Sequence, residues 1–357
     1  MVGKRHGEDA VQQRHAVLRG AHQVEIAFVP KAALRSTDVR IRVAYSGICG
    51  SDLHAIDDPS GLDVTLEAFA GPIITLGHEF SGVIEEVGTN VRSVRVGSRV
   101  ACVPRLACTM CRNCRRGHPV RCTDRIRLPH GCWAETITVN EAFAYAIPDG
   151  ITLRTAALAE PTACSLRAID LAAADSGSSA LVIGGGPMGL LLTGLALRTG
   201  YARVLVSEPS QARRRIAGLL GAEVVDPTSE ELARVVQDWS SGVGPDTVFE
   251  AVGSAATVEQ AVELVCDGGT VVVVGVAPPG VRAAISPETI FAKELTIRGA
   301  WGIETTFERS IQWLQHIDFS PLLTHTFDLA DISLALQTTR SGSSGKVMLK
   351  ISPPIDE

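Results

Sequence analysis

The sequence predicts an α/β protein with two domains, one mostly β and one built on a doubly wound parallel sheet. Its 357 residues exceed what one ordinary hydrophobic core holds. Up to about residue 158, short β-type runs are separated by Gly, Pro and polar turns. From about residue 163, helical segments alternate with Val-rich strands, which is typical of a parallel sheet covered on both faces. We therefore assign residues 1–158 and 297–357 to the first domain and 159–296 to the second.

The first domain is predicted from apolar runs of strand length. They lie at residues 39–45, 82–87, 99–103 and 134–139. Residues 1 to about 15 are charged and lack an apolar pattern, so we expect no stable structure there. This segment also lacks the apolar core of a secretory signal.

The second domain begins with a glycine-rich turn between a strand and a helix. An apolar run at residues 179–183 leads into the sequence Gly184-Gly185-Gly186-Pro187-Met188-Gly189, and a helical pattern follows. Gly184 permits the tight turn, Gly186 lets the backbone approach a pyrophosphate, and Gly189 lets the helix pack against the strand. We include Pro187 and Met188 among the cofactor-binding residues because they open the helix.

Glu208 follows the next strand, about twenty residues past the last glycine, where the carboxylate that binds the ribose of NAD belongs. Its charge repels a 2′-phosphate, which favours NAD over NADP. Arg213 begins a run of three arginines that could stack on the adenine, bind a phosphate or form the solvated face of a helix. We count Arg213 among the cofactor-binding residues.

Further apolar runs complete the predicted parallel sheet, at residues 224–225, 247–250, 270–275 and 295–299. A helix around residues 307–316 and a last strand at 346–351 return the chain to the first domain. One uncharged stretch, residues 180–197, is long enough to raise the question of a membrane span. Three successive glycines and a proline interrupt it, so the strand, turn and helix explain it better.

Four closely spaced cysteines form the strongest metal-binding pattern. Two, two and seven residues separate Cys108, Cys111, Cys114 and Cys122, and short Cys-x-x-Cys steps let one loop supply several thiolates to a tetrahedral Zn²⁺. Such a closed site leaves no position for a substrate, so this zinc is structural. A disulfide cluster is disfavoured, because nine cysteines without a secretory signal indicate a reducing, cytoplasmic compartment.

A second, catalytic zinc is predicted from a sparser set of residues. Cys49 and His78 offer a sulfur and an imidazole nitrogen, and Glu79 or Glu160 adds a carboxylate. Three protein ligands with an open fourth position are what a catalytic zinc needs. Asp52 is too close to Cys49 to reach the same metal, but it can accept the other ring N–H of His78 and fix its tautomer.

The composition excludes other classes of partner. Charged residues make up 20% and hydrophobic residues 45% of the chain, and the formal net charge is −6. This balance gives no electrostatic reason to expect nucleic acid or an anionic membrane as a partner. The expected ligand is a small-molecule substrate.

In this order, these segments resemble the zinc-containing medium-chain alcohol and polyol dehydrogenases, from about Ala16 to the C-terminus. The chain is most similar to the sorbitol, threonine and butanediol dehydrogenase branch, because Ala159-Glu160-Pro161 stands where liver-type alcohol dehydrogenases place a cysteine ligand. The resemblance implies a GroES-like catalytic domain, a Rossmann domain and a homodimer or homotetramer. It also implies two zinc ions per chain and hydride transfer from an alcohol to NAD.

The resemblance also implies roles for individual residues. Ser51 is the hydroxyl that takes the proton of the alcohol, and His54 passes it towards solvent. Glu79 and Glu160 compete for the zinc, and Glu160 is preferred to Cys164, which lies one helical turn further on. Lys346 holds a position from which relatives reach the pyrophosphate, with an exposed edge lysine as the alternative.

Two further features are candidates for shaping the substrate pocket. One is Trp301, just after the last strand of the second domain, and the other is an acidic segment that includes Asp63. Two other functions were weighed. A reductase of an activated C=C bond is disfavoured by the complete zinc set, and a non-catalytic cofactor-binding protein is disfavoured by Ser51 and the same ligands.

Overall fold

A computed structural model describes residues 11–58, 74–303 and 305–352 of the chain. The first 158 residues form mostly strands: β1 (Gln12–Gly20), β2 (Gln23–Pro30), β3 (Asp38–Gly47), β4 (Ile74–Thr75), β5 (Phe80–Val87), β6 (Arg99–Cys102), β7 (Arg105–Leu106), β8 (Ile126–Arg127), β9 (Thr136–Asn140) and β10 (Ala144–Ala146). Three short helices accompany them: α1 (Gly50–Asp57), α2 (Arg112–Arg115) and α3 (Leu153–Ala156).

The middle of the chain alternates helices and strands. The helices are α4 (Ala159–Ala172), α5 (Pro187–Arg198), α6 (Gln211–Leu220), α7 (Leu232–Trp239), α8 (Ala255–Leu264) and α9 (Pro287–Ala292). The strands are β11 (Ser179–Ile183), β12 (Arg203–Ser207), β13 (Glu223–Val225), β14 (Thr247–Glu250), β15 (Thr270–Val273) and β16 (Thr296–Gly299). The chain ends with α10 (Phe307–Trp313), β17 (Leu323–Asp328), α11 (Ile332–Arg340) and β18 (Lys346–Lys350).

The six strands β11 to β16 form one sheet in which every pair is parallel, with the order β13-β12-β11-β14-β15-β16. The strand order reverses between β11 and β14, and ligands of such sheets bind at the carboxyl ends of the strands beside this point. The predicted parallel sheet is therefore confirmed. The uncharged stretch forms β11 and α5, and no helix in the described part of the chain is long and apolar enough to cross a membrane.

A second large sheet contains strands from both the first part and the C-terminal part of the chain. A seven-stranded sheet has the order β10-β6-β5-β3-β18-β17, and β9 also pairs with β3. Its last two strands come from the C-terminal segment, and β18 pairs antiparallel with β3. The predicted α/β class, with a mostly β part and a doubly wound parallel sheet, is confirmed. The exact domain boundaries stay a prediction. The boundary after residue 296 divides β16, since residues 297–299, which we assigned to the first domain, pair with β15 in the parallel sheet.

The structure overturns one expectation about the N-terminal segment. Residues 12–15 belong to β1, which pairs with β2, so they are not an unstructured extension. The side chain of Gln13 is buried and accepts from the Thr136 amide at 2.9 Å, and the Ala16 amide donates to the Trp133 carbonyl at 2.8 Å. These tertiary contacts, which the local pattern does not reveal, stabilise the strand. Residues 1–10 lie outside the described residues, as does Asp63.

Candidate active site and cofactor cleft

The four predicted structural ligands come together on one loop. The sulfur atoms of Cys108, Cys111, Cys114 and Cys122 all lie within 4.8 Å of one another. The loop is shaped by backbone amides that donate to sulfur, from Cys111 to Cys108 at 3.2 Å and from Asp124 to Cys122 at 3.4 Å. Such donors stabilise thiolates, the form that binds a metal.

The geometry of these sulfurs fits zinc. A tetrahedral Zn²⁺ with Zn–S bonds of about 2.3 Å requires sulfurs about 3.8 Å apart. The sulfurs of Cys111 and Cys122 are 3.9 Å apart. All nine cysteines of the chain are free thiols, so these four are available as ligands.

A second group of possible ligands lies where the first sheet meets α1. The ligand atoms of Cys49, His78 and Glu79 lie within 4.8 Å of one another. Cys49 is the residue before α1, and His78 and Glu79 immediately precede β5. The amide of Gly47, at the end of β3, donates to the Glu79 carbonyl at 2.8 Å and so joins the two segments. A sulfur, a nitrogen and a carboxylate at this spacing fit a zinc with an open fourth position.

Asp52 lies beside two of these possible ligands, Cys49 and His78. It is fully buried, and one of its carboxylate oxygens lies 3.5 Å from Nδ1 of His78. The other oxygen accepts from the Cys49 amide at 2.9 Å. Asp52 therefore lies beside both Cys49 and His78, although its contact with Nδ1 of His78 lacks hydrogen-bond geometry.

Glu79 has a partner that the sequence did not indicate. The Lys346 ammonium lies 2.5 Å from Oε2 and 2.6 Å from Oε1 of Glu79, and both side chains are buried. Burial lowers the pKa of Lys346, but the charge and hydrogen bond of Glu79 and the charges of Cys49 and Glu160 together outweigh burial and raise that pKa above its ordinary value. The alternative of an exposed edge lysine is wrong, because Lys346 is buried and paired with Glu79. A role at the pyrophosphate stays a prediction.

Gly47 makes room for this ion pair. A Cβ at Gly47 would lie 2.0 Å from Oε2 of Glu79 and 2.8 Å from Cε of Lys346. Because a carboxylate has several lone pairs, Glu79 can accept from Lys346 and still bind a metal. The pair therefore holds the carboxylate in one orientation beside Cys49 and His78.

Glu160 lies near this group without belonging to it. It occupies the first turn of α4, and its carboxylate is buried. Burial raises its pKa, and the nearby charge of Glu79 adds to this effect, while His78, Arg105 and Lys346 oppose it. Cys164, one turn later, places its sulfur 3.5 Å from Oε1 of Glu160, and burial keeps the pKa of this thiol well above its ordinary value. Cys164 therefore lies beside Glu160 at the site.

The two predicted relay residues lie on α1, directly after Cys49. Ser51 is half-buried and His54 is exposed. Within the described residues neither side chain has a hydrogen-bond partner, so their roles stay a prediction. Their positions run from the interior to the surface, which is the direction that a proton leaving the site must take.

The glycine-rich turn lines a cleft at the carboxyl ends of β11, β12 and β14. The cleft has a volume of about 490 Å³, and its walls include Gly184, Gly186, Glu208, Arg213 and Thr257. Gly186 is the N-cap of α5, and Pro187 and Met188 form its first turn, so free amides of the helix face the cleft. At Gly189 a Cβ would lie 1.8 Å from the Gly184 carbonyl oxygen, so only glycine lets the helix approach the turn.

Glu208 lies in this cleft with its carboxylate held in place. It is buried, and its oxygens accept from the Gly185 amide at 2.7 Å and the Ser210 amide at 2.8 Å. The Nε of Arg213 donates to the Ser344 carbonyl at 2.8 Å, while the side chain still lines the cleft. The next residue, Arg214, forms a salt bridge with Asp226, with 2.8 Å between its guanidinium nitrogen and the carboxylate oxygen. A carboxylate at this end of β12 fits a nicotinamide dinucleotide.

Comparisons with known proteins match both parts of the chain. The family description "Alcohol dehydrogenase GroES-like domain" matches residues 35–149, and "Zinc-binding dehydrogenase" matches residues 187–316. The chain is 32% identical over 331 residues to an L-threonine 3-dehydrogenase of Rhizobium etli (strain CIAT 652), an alignment that covers 90% of this chain and 93% of the relative. It is 31% identical over 329 residues to a 2-dehydro-3-deoxy-L-galactonate 5-dehydrogenase of Pseudoalteromonas atlantica, covering 89% and 92%.

A solved structure from Sinorhizobium meliloti 1021, assigned as a zinc-binding dehydrogenase and bound to NADP, has a TM-score of 0.87 to this chain. The two share 28% identity, and the match covers 95% of this chain and 99% of the other.

Proposed function

Because the chain belongs to the zinc-binding alcohol dehydrogenase family, we propose that it oxidises a secondary alcohol of a small polar metabolite and passes the hydride to NAD. The grouping of Cys49, His78 and Glu79 is the observation that carries this proposal. Relatives named for threonine and for a deoxygalactonate oxidise alcohols of polar metabolites, which supports a polyol, cyclitol, sugar or amino alcohol as the substrate.

We assign Cys49, His78 and Glu79 as the protein ligands of a catalytic zinc and Glu160 as a second carboxylate facing it. When bound, zinc supplies a Lewis acid that favours ionisation of an alcohol, and the nicotinamide supplies the hydride acceptor. Asp52 places its carboxylate beside His78, and Lys346 balances the charge of Glu79. The sulfurs of the four-cysteine loop hold the second, structural zinc.

Ser51 and His54 carry the proton in this proposal. The Ser51 hydroxyl accepts the proton of the alcohol as it gives up its own proton towards His54, and the exposed imidazole of His54 releases a proton to solvent. The ordinary pKa of histidine lies near neutral pH, which suits such a transfer. Serine to alanine at position 51 should therefore slow oxidation more at low pH than at high pH, where solvent base replaces the relay.

We propose NAD rather than NADP, because the buried Glu208 carboxylate lies where a 2′-phosphate would sit. Because a related structure is bound to NADP, the test of this preference is kcat/KM for NAD and for NADP with the same alcohol. The free thiols support a reducing, cytoplasmic compartment, and a homodimer or homotetramer is expected from the family. Light scattering of the purified protein measures the latter.

The zinc-ligand set argues against the two alternative functions, a reductase of an activated C=C bond and a non-catalytic cofactor-binding protein. The test of the proposal is a screen of polyols, amino alcohols and cyclitols by NADH absorbance, together with zinc analysis of two variants. Glu79→Gln should lose the catalytic zinc, and Glu160→Gln should retain it with reduced activity. The opposite result would assign the ligand role to Glu160. Glu79→Gln/Lys346→Met serves as the control for a buried, unpaired lysine.

A further inference from the structure

Three arginines surround the ring of Trp301 on the side of the molecule that bears the four-cysteine loop. The guanidinium carbons of Arg105, Arg125 and Arg121 lie 4.3, 4.7 and 5.6 Å from the centre of the indole ring. Trp301 is 38% exposed, although it is one of the largest apolar side chains of the protein. We call these four residues the arginine–tryptophan platform.

The platform brings three positively charged guanidinium groups close together, although like charges repel. The face of an indole ring attracts a guanidinium, so Trp301 can hold arginines that would otherwise separate. The N–H donors of a guanidinium lie in its own plane. They can therefore bind a carboxylate or a phosphate through two parallel hydrogen bonds while the face of the guanidinium contacts the ring. Arg105 and Arg125 also interact with other groups of the protein, so the argument for an anion site depends on where their positive charges lie.

The platform lies beside the proposed active site. Arg105 begins β7, which follows β6, and Trp301 follows β16; α4, which bears Glu160, contacts both β6 and β16. Just after Trp301, the hydroxyl of Thr306 donates to the Ala163 carbonyl at 2.8 Å, close to the first turn of α4. The charge of Arg105 also acts on the carboxylate of Glu160, whose pKa it lowers.

We propose that the platform binds an anionic group of the substrate, a carboxylate or a phosphate, and that Arg105 is the residue that contacts it. The proposal rests on the proposed dehydrogenase function and narrows its substrate to acidic or phosphorylated alcohols. Arg105 is the candidate because its guanidinium lies closest to the indole ring and because β7, which it begins, directly follows β6, a strand that α4 contacts. Arg121 and Arg125 add positive charge that attracts the anion to the arginine–tryptophan platform.

The test compares substrates that share a six-carbon polyol chain and differ in their terminal group, which is neutral, a carboxylate or a phosphate. Sorbitol, gluconate and sorbitol 6-phosphate are offered to the zinc-loaded protein with NAD, and kcat/KM for NADH formation is measured for each. We expect at least one acidic compound to exceed sorbitol by 10-fold or more, and the better of the two identifies carboxylate or phosphate. Arg105→Gln should lower kcat/KM for that compound by about 10-fold to 100-fold while changing sorbitol less than 3-fold.

Controls separate recognition from structural support. Arg116→Gln removes an exposed arginine of the same loop that is not over Trp301 and should change nothing. Arg105→Lys should restore part of the preference, and zinc content should be unchanged in all variants. Equal losses for acidic and neutral substrates in Arg105→Gln, or no preference in the wild-type protein, would overturn the proposal and leave the dehydrogenase function standing.

A binding measurement keeps the proposal testable if none of the three compounds is oxidised. Gluconate and sorbitol 6-phosphate are titrated by calorimetry into zinc-loaded protein saturated with NADH. Saturable binding that Arg105→Gln weakens 10-fold supports the platform as an anion site. Binding no tighter than that of sorbitol contradicts it. Failure of every alcohol in the wider screen, by contrast, counts against the proposed function itself.

Discussion

Replacing Lys346 by methionine tests the buried ion pair beside the proposed zinc site. Methionine keeps the length of the side chain and removes the charge, so Glu79 would be left buried without its cation. Both side chains are at most 2% exposed. Removal of one partner of a buried pair costs about 3–5 kcal/mol of unfolding free energy, because the remaining charge has no solvent and no counter-ion. We expect a loss of about 3 kcal/mol, since a zinc at Glu79 would compensate part of the charge.

The assay is urea unfolding of the zinc-loaded protein, followed by tryptophan fluorescence and circular dichroism together so that two-state behaviour is checked. The double variant Glu79→Gln/Lys346→Met removes both charges and should recover to within about 1 kcal/mol of the wild-type protein. A loss below about 1 kcal/mol in Lys346→Met would refute the reasoning. So would a double variant whose loss equals the sum of the two single losses.

Four further outcomes follow from the structure. Gly47→Ala should reduce catalytic zinc and activity together, because its Cβ would lie 2.0 Å from Oε2 of Glu79; zinc analysis showing full occupancy would contradict this. Glu208→Ala should lower kcat/KM with NAD by about 10-fold and raise the NADP-to-NAD ratio, measured with one alcohol, and an unchanged ratio would exclude its ribose role. Cys108→Ser should lower the thermal midpoint while the remaining folded enzyme keeps its kcat, and a loss of kcat without loss of stability would be the wrong result. Burial lowers the pKa of His15 to about 4, below that of the unfolded chain, so stability should fall as pH decreases from 6.5 to 4. His15→Leu should flatten this part of the pH profile from urea unfolding by up to about 3 kcal/mol. An unchanged slope would show that His15 binds protons equally in the folded and the unfolded chain.

The sign of the His15 effect follows from proton uptake. Between pH 6.5 and 4 the unfolded chain gains a proton at this histidine and the folded chain does not, so acid favours unfolding. Above pH 6.5 both forms are neutral and the contribution is constant. The neighbouring His130 adds to the lowering of the His15 pKa, and Glu135 opposes it.

The sequence predicted the parallel sheet and the ligand clusters because their signals are local. The apolar strands have the right length, and the four-cysteine loop and the glycine-rich turn are each contained in one short segment. Cys49 follows β3 and His78 precedes β5, so the antiparallel pairing of these two strands brings the two residues together. The predicted residues at the catalytic site therefore lie where the motifs placed them, although their roles stay proposals.

The features that the sequence did not reveal depend on pairing between distant segments. Lys346 meets Glu79 only because β18 pairs with β3, across 267 positions of the chain. Trp301 meets Arg105 only because the segments after β16 and β6 lie beside the same helix. The strand β1 needs the tertiary contacts of Gln13 and Ala16, since nothing in its first residues marks them as buried. A lysine in a final strand and an arginine before a cysteine loop carry no local signal of such partners.

Metal analysis of the purified protein tests the central claim most directly. The account predicts two zinc ions per chain, and one zinc with no NADH formation after Cys49→Ser. Cys108→Ser should instead lose the other zinc, and the protein that remains folded should keep its turnover. A wild-type protein with a single zinc and full activity, or a Cys49→Ser variant that still oxidises the alcohol, would contradict the account.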